Sequence, residues 1–590
     1  MDRLHWLQLV TSLIGLFLFL KGFLVLRKTV EKKSECQDRP VLPLHDHNKG
    51  DCWMQRPVKN DTKIVLLIVD ALRIDMAVPD LTDGSNYRNK LNFLHEQFTK
   101  DPRHNVLMRF VADPPTATTQ RLQGLLAGTL PAFVEIGGSF SETALILDNW
   151  LSQYLYAGRT KSGQESNNNN EKKRLHFYGD DTWTHMFPFM HEQSRGRVEG
   201  YPSFHLFDLH TVDGNIKREM FPVLESRDYD MLIAHFLGHD HCGHKFGPKH
   251  VECGKKLLEM DDVIRRVHQT LTPKDILIVI GDHGMTDEGD HGGVSWKEVS
   301  SVFFMSCPQC NFLDYQQFRK QRSALVGSGD HVLVRDDYLI ESMNQVDLVP
   351  TLSLLLGLPI PYGNLGTVAL DIIPGNSDFH LDAIRVNAHQ VRRFLQNESD
   401  LRNMGKFWEE LILIDDDPSV DEYQRWLHAV FEHCKLTWAT FDGTLMNVGI
   451  LISFVPVLNM FMANGDIRAS VIALIHALLQ TTTSFVVFED DVVRFLLTSL
   501  IFSNTEIHLK NKLLIMLLVR LTKHIGGCRE EQYPYCNTMN HRNVSLFAFL
   551  ALFGVCAIVY ARRIIHNQSM LFSYMLLLIW WLSWWAVDNG

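Results

Sequence analysis

Four short apolar runs constrain this chain more than any other feature: Ile64 to Val69, Leu175 to Tyr178, Met231 to Phe236 and Ile276 to Ile280. Each is bounded by turn or charge signals, and each is continuously apolar rather than alternating, the pattern of a strand buried on both faces of a parallel sheet. Helical patterns lie between them. In the clearest, Lys255 to Leu271, the residues Leu257, Leu258, Met260, Val263, Ile264 and Val267 recur mostly at spacings of three and four. Strands alternating with helices predict an α/β domain with a mostly parallel central sheet.

Such sheets bind ligands beyond the carboxyl ends of their strands. Asp70 follows the first run, Asp282 and His283 follow the fourth, and His235, His239, Asp240, His241 and His244 crowd the end of the third. Asp70, Asp240, His244, Asp282, His283 and His291 have the type and place of metal ligands, and carboxylate with imidazole suits Zn²⁺ or Mn²⁺. Taken singly, each reads more readily as a structural hydrogen-bonding group. Taken together they do not, because burying three neighbouring carboxylates without a cation costs several kcal/mol each.

Glycines flank these residues in Asp240-His241-Cys242-Gly243-His244, in Gly281-Asp282-His283-Gly284 and in His291-Gly292-Gly293, leaving the backbone free to bend closely around a site. A nucleophile is still needed. Thr116, Thr118 and Thr119 stand just before an apolar helical stretch, Leu122 to Leu126, where a helix N-terminus favours a bound phosphate. Helix capping is an equally good reading of Thr116 and Thr119.

Over 590 residues, one core is too little, and composition divides the chain. From about Thr29 to Cys434 it reads as globular, whereas Leu445 to Trp585 is dominated by apolar runs. The run Trp6 to Leu26 reads as an uncleaved signal anchor. Arg27, Lys28, Lys32 and Lys33 beyond it outnumber Arg3, which by charge alone would leave the large domain cytosolic. Leu445 to Met462, Val471 to Phe488, Ser545 to Tyr560 and Met570 to Trp585 are candidate spans, with one or two further helices, or an interfacial one, within Val492 to Leu521. Ser166 to Lys173 reads as a polar surface insertion without chemistry.

Ten cysteines in so long a chain make no disulfide scaffold, but Cys36 and Cys52 bracket a short segment that a disulfide would close in an oxidising lumen. Sequons at Asn60 and Asn397 suit the same compartment. Cys307-Pro308-Gln309-Cys310, with no second such pair, reads as a turn with a disulfide or two thiols rather than a redox or zinc motif. A net charge of −11 with no basic block argues against nucleic acid.

The succession Val69-Asp70-Ala71-Leu72-Arg73, Pro115 to Leu122, Gly128-Thr129-Leu130-Pro131, Phe177 to Trp183, Ala234 to His244 and Gly281 to Thr286 resembles the glycosylphosphatidylinositol (GPI) ethanolamine phosphate transferases of the alkaline-phosphatase superfamily, and among them the class that modifies the third mannose. The resemblance covers roughly residues 1 to 440. It implies an alkaline-phosphatase-like domain with two divalent metal ions, Zn²⁺ foremost and Mn²⁺ as the alternative. One would be held by Asp240, His244 and His291, the other by Asp70, Asp282, His283 and the oxygen of the nucleophile, Thr118. Arg73 and His239 are weaker candidates for contact with the phosphate.

The same resemblance implies an anchor over residues 1–28, a catalytic domain over 29–440 in the lumen of the endoplasmic reticulum, and a multi-span region over 441–590. It overrides the charge argument on orientation. Phosphatidylethanolamine would be the donor and a mannosylated GPI lipid the acceptor, with membrane lipids and a small multi-span stabilising subunit as partners. Family members are much longer, so a chain that stops at Gly590 reads as a short form or a piece. The motifs alone do not separate a transferase from a phosphodiesterase or nucleotide pyrophosphatase of the same superfamily. The several apolar runs favour a lipid-linked acceptor, and the intact ligand positions argue against a non-catalytic membrane subunit.

Overall fold

The computed structural model describes residues 10–21 in part, 32–39, 44–50, 52–80, 83–130, 147–156, 172–203, 208–312, 332–334, 338–397, 418–438 and 443–464, with isolated positions beyond. The chain divides into two compact units, Arg27–Thr440 and a second that joins Met1–Leu26 with Phe441–Gly590.

Eight strands form the sheet of the larger unit: β1 (Ile64–Val69), β2 (Asn105–Val111), β3 (Leu175–Asp180), β4 (Val198–Tyr201), β5 (Met231–Phe236), β6 (Ile276–Ile280), β7 (Ser300–Ser306) and, after a small hairpin of β8 (Val332–Val334) and β9 (Tyr338–Ile340), β10 (Ser342–Asn344). Their order is β10-β2-β7-β6-β1-β5-β3-β4, and only β7 runs against its neighbours. The four runs read from the sequence are β1, β3, β5 and β6, which lie side by side and parallel. Ile64 registers with both Met231 and Ile276, so the carboxyl ends of β1, β5 and β6 finish level. Every residue of these three strands is buried, each large aliphatic side chain contributing about 1.5–3 kcal/mol.

Strand β7 carries serines where the others carry aliphatics, and it is buried nonetheless. Ser301 Oγ lies within hydrogen-bond distance of the carbonyl oxygens of Phe110 and Gly281 and donates its one proton to one or the other, which satisfies the hydroxyl inside the sheet.

The helices that bear on the site are α1 (Thr118–Ala127), α2 (Gly238–Phe246) and α3 (Val251–Thr270); α4 (Ser377–Asn397) and α5 (Val420–Trp438) close the larger unit. Helix α3 begins four residues before the periodic stretch that predicts it, where His250 accepts from the Glu252 N–H. Cys36 is bonded to Cys52, and Cys307 to Cys310.

In the smaller unit, α6 (Gly443–Asn464) covers the first C-terminal span candidate. Among the described residues no helix is long and apolar enough to cross a membrane. The signal-anchor run is described only in part. The polar insertion, apart from residues 172–173, the three later span candidates and nearly all of Val492 to Leu521 lie outside the described residues.

Candidate metal centre

Strand ends deliver the first group of candidate ligands. Asp70 follows β1 directly, and Asp282 and His283 are the second and third residues beyond β6. All three are buried, and their ligand atoms lie within 4.8 Å of one another. Ala71, next to Asp70, holds a left-handed φ of 56°, unusual for a residue with a side chain, and its N–H donates to Asp282 Oδ1 at 3.1 Å. The His283 N–H donates to the same oxygen. That leaves Asp282 Oδ2 buried with no hydrogen-bond partner, as is Asp70 Oδ1.

His283 Nδ1 donates to the Gly284 carbonyl at 2.9 Å, so its Nε2 presents a lone pair. That nitrogen lies 3.4 Å from Asp70 Oδ1 and 3.4 Å from Asp282 Oδ2. The imidazole nitrogen and the two carboxylate oxygens thus converge on one point. Burial, reinforced by Asp282, Asp240 and Asp180, drives the Asp70 pKa well above the ordinary carboxylate value. Burial likewise pulls His283 down to about 4, against the opposing pull of Asp282. A cation at this point relieves both penalties at once.

The second group comes from α2 and the loop after β6. Asp240 and His244, four residues apart on α2, share one face of the helix. His244 Nε2 is 3.4 Å from Asp240 Oδ2 and 3.0 Å from His291 Nε2, and His291 Nε2 is 3.7 Å from Asp240 Oδ1. Burial pushes the Asp240 carboxyl up, but His244, His291 and His283 outweigh it and hold it below the usual range. Asp240 Oδ1 and His244 Nδ1 are buried without partners. Gly289 lets the loop lie against α2: its φ is 97°, and a side chain there would stand 2.0 Å from the Gly243 carbonyl oxygen.

The two groups are neighbours. His283 of the first stacks on His291 of the second with ring centroids 4.1 Å apart. Their donor sets, two carboxylates with one imidazole and one carboxylate with two, fit divalent ions of the Zn²⁺ or Mn²⁺ type, and the orphaned oxygens are what such ions would satisfy.

The threonines separate by position. Thr118 is the first residue of α1, half-buried, with its Oγ1 3.4 Å from Asp70 Oδ2 and 3.3 Å from His283 Nε2. Thr116 is not a cap, as the helix is capped at Ala117 without a side-chain bond. Its Oγ1 instead donates to the Gly293 carbonyl and accepts from the Gly292 N–H, and its carbonyl accepts from His291 Nδ1. Thr119 follows on the helix, half-buried.

The expectation that Arg73 touches the phosphate is corrected by its surroundings. Its Nε and Nη2 donate to Asp75, Nη2 also to Tyr87, and Nη1 to the Met285 carbonyl and Asp287. With five donors engaged and the side chain fully buried, nothing is left for a ligand. His239, the other weaker candidate, is buried against Met76 Sδ at 3.2 Å, and burial lowers its pKa to about 4.

Sequence reasoning gave no role to His235, Trp183 or Arg121, although each stands in a motif it singled out. The Trp183 indole donates to His235 Nδ1 at 3.0 Å, which places the ring proton on Nε2, 3.4 Å from Asp70 Oδ2. His235 thus stands beside Asp70 with its Nε2 buried and without a hydrogen-bond partner. The signal was its place in β5 beside Asp70, with Ile68 registered against it. Arg121, buried in α1, is pulled down to about 10 by burial against the pull of Asp113 and Asp282, and it donates to Gln345 Oε1 at 3.5 Å. Gln345 Nε2 donates in turn to the Asp282 carbonyl, tying α1 to the ligand loop.

A family model for type I phosphodiesterase / nucleotide pyrophosphatase matches residues 156–302, the stretch that runs from before β3 into β7. The chain is 38% identical over 405 residues to the GPI ethanolamine phosphate transferase 3 catalytic subunit of Mus musculus, covering 65% of this chain and 33% of that protein. It is 33% identical to GPI ethanolamine phosphate transferase 3 of Schizosaccharomyces pombe, covering 78% of this chain and 46% of the relative. A solved structure of a protein in the alkaline phosphatase superfamily from Vibrio parahaemolyticus overlaps at 10% identity and a TM-score of 0.33, covering 62% of this chain and 78% of the other, too loosely to carry argument. The chain spans a third to under a half of the length of these two curated relatives. The family resemblance read from the motifs is borne out by them.

Proposed function

From a chain that is, over about two thirds of its length, a relative of the GPI ethanolamine phosphate transferases, we infer a phosphotransferase that moves phosphoethanolamine onto a GPI precursor. The observation that supports this most directly is the Thr118 hydroxyl, which stands at the head of α1 beside Asp70 and His283 while the second ligand group adjoins the first. The names of the relatives, GPI ethanolamine phosphate transferases, support ethanolamine phosphate as the group moved; phosphatidylethanolamine as donor and the third mannose of the GPI lipid as acceptor complete the proposal.

Asp70, Asp282 and His283 would hold one divalent ion, and Asp240, His244 and His291 the other. When bound, such ions, zinc in our reading, lower the pKa of a nearby hydroxyl and offset the charge of a phosphate. Thr118 Oγ1 forms the bond to phosphorus as the phosphorus–oxygen bond to diacylglycerol breaks, the hydroxyl proton ending on the departing diacylglycerol oxygen and phosphoethanolamine on the threonine. The mannose 6-hydroxyl displaces it in a second step, and the threonine regains a proton. The free N–H groups at the start of α1 face the phosphate oxygens during both steps. Thr116 keeps His291 in orientation through its carbonyl oxygen.

This reading carries the domain division with it: an anchor over 1–28, the catalytic domain over 29–440 in the lumen of the endoplasmic reticulum, and membrane spans in 441–590, with the small stabilising subunit as a partner. Asn60 is exposed and available to glycan, and the Cys36–Cys52 bond suits that compartment. The rival reading is hydrolysis by the same site, which the type I phosphodiesterase match accommodates equally. Purified protein given phosphatidylethanolamine and a mannosylated GPI intermediate separates the two by mass spectrometry. Transfer predicts an acceptor heavier by one phosphoethanolamine; free phosphoethanolamine alone, with the acceptor unchanged, means hydrolysis.

A further inference from the structure

Two cysteines that the proposed chemistry does not use meet beside the metal centre. Cys242 lies in the middle of α2, between Asp240 and His244, and Cys253 lies in the first turn of α3. Both are fully buried, with Leu209 packed against them. Their sulfurs are 2.6 Å apart. That is well inside the ~3.5 Å or more at which unbonded heavy atoms rest, and it approaches the ~2.05 Å of a disulfide.

We propose that Cys242 and Cys253 form a further intrachain disulfide, one that clamps the metal-bearing helix α2 onto α3. Two thiols lose their hydrogens and one S–S bond forms. The two electrons and two protons pass to a disulfide-carrying oxidant, which leaves as two thiols. The same class of oxidant forms Cys36–Cys52 and Cys307–Cys310, so the unit that holds the pair is one in which disulfides persist.

Geometry gives the bond a structural purpose. Helix α2 has only nine residues and bears two of the three ligands of the second group, while α3 has twenty and packs into the core along a full face. A covalent link through Cys242, two residues from Asp240 on one side and from His244 on the other, transfers the stability of the long helix to the short one. The clamp is independent of which phosphate ester the site takes, so it stands or falls apart from the function proposed above.

The test is cysteine mapping on the full chain, purified without reductant and equilibrated in an oxidising glutathione buffer until Cys36 and Cys52 are recovered as a linked pair. The protein is then denatured, alkylated, digested and analysed by mass spectrometry. A peptide pair joined through Cys242 and Cys253, two hydrogens lighter than the sum of its reduced halves, is the expected result. Recovery of both as alkylated thiols in the sample that holds the Cys36–Cys52 pair overturns the proposal. Cys253→Ser supplies the second measurement, since the parent should take up no label at Cys242 before reduction and the variant should take up one full equivalent on denaturation. Equal labelling of Cys242 in both overturns it as well.

Discussion

His291 donates its Nδ1 proton to the carbonyl oxygen of Thr116 across 2.8 Å, and the Thr116 hydroxyl bridges the next two residues of the same loop, Gly292 and Gly293. The backbone bond fixes which ring nitrogen of His291 is free to ligate; the hydroxyl bonds fix where the loop lies. Thr116→Ala keeps the first and deletes the second. It should cost about 1–2 kcal/mol locally and weaken metal binding roughly 10- to 100-fold, with Thr116→Ser restoring most of it. Competition titration with a chelator measures the change. His244→Ala, which removes a ligand outright, should lose more metal than either while its circular dichroism stays that of a folded domain.

Arg73 tests the opposite role. Because its guanidinium is fully buried and paired with Asp75 and Asp287, Arg73→Gln should lower unfolding stability by about 3–5 kcal/mol. A phosphate ligand would instead show as a raised KM at unchanged stability. Denaturant unfolding beside steady-state kinetics distinguishes the two.

The contrast between Thr116 and Arg73 shows how far the sequence could be read. Asp70, Asp282 and His283 were legible because each follows a continuous apolar strand, and position at a strand end is a one-dimensional signal. Asp240 and His244 were legible by their four-residue spacing. Nothing local marked Thr116 as the partner of His291, since 175 residues separate them. Arg73 stood in a motif beside Asp70, but motif membership says nothing about whether an arginine faces a ligand or spends its donors inward. Strands β2, β4, β7 and β10 were missed for another reason. Strands β4 and β10 are short, β2 has its apolar run interrupted by Arg109, and β7 is buried with serines whose hydrogen bonds only the folded sheet supplies.

Asp347 gives a pH dependence whose sign can be worked out. Burial, aided by Asp113, raises its carboxyl from 3.8 to about 7, even though it accepts N–H groups from Thr367 and Asn344. Between those values the folded chain holds a proton that the unfolded chain has released. Its contribution to stability is therefore complete below 3.8 and is lost as pH rises through about 7. Asp347→Asn cannot titrate. The stability deficit of the variant relative to the parent should be largest near pH 5 and shrink toward pH 8, as read by thermal melting across that range; a deficit that grows with pH would contradict the assignment.

Thr118 bears the central prediction, because its hydroxyl stands against two of the candidate ligands, 3.4 Å from Asp70 and 3.3 Å from His283, whereas that of Thr116 is spent on Gly292 and Gly293. A positioning role would survive partial substitution, whereas a nucleophile must bond to phosphorus. Thr118→Ala should therefore lower kcat by roughly three orders of magnitude or more, about 4 kcal/mol in the barrier. Thr118→Ser, which keeps an oxygen, should retain measurable turnover. Thr119→Ala should cost on the order of 1 kcal/mol. Metal content must be measured on each variant, since Thr118 sits beside two ligands and a loss of metal would imitate a loss of chemistry. The decisive observation is the adduct: after brief exposure of the parent to donor lipid without acceptor, peptide mapping should find phosphoethanolamine on Thr118. An adduct on Thr116 or Thr119, or near-parental turnover by a Thr118→Ala variant with full metal, would move the nucleophile elsewhere on the turn.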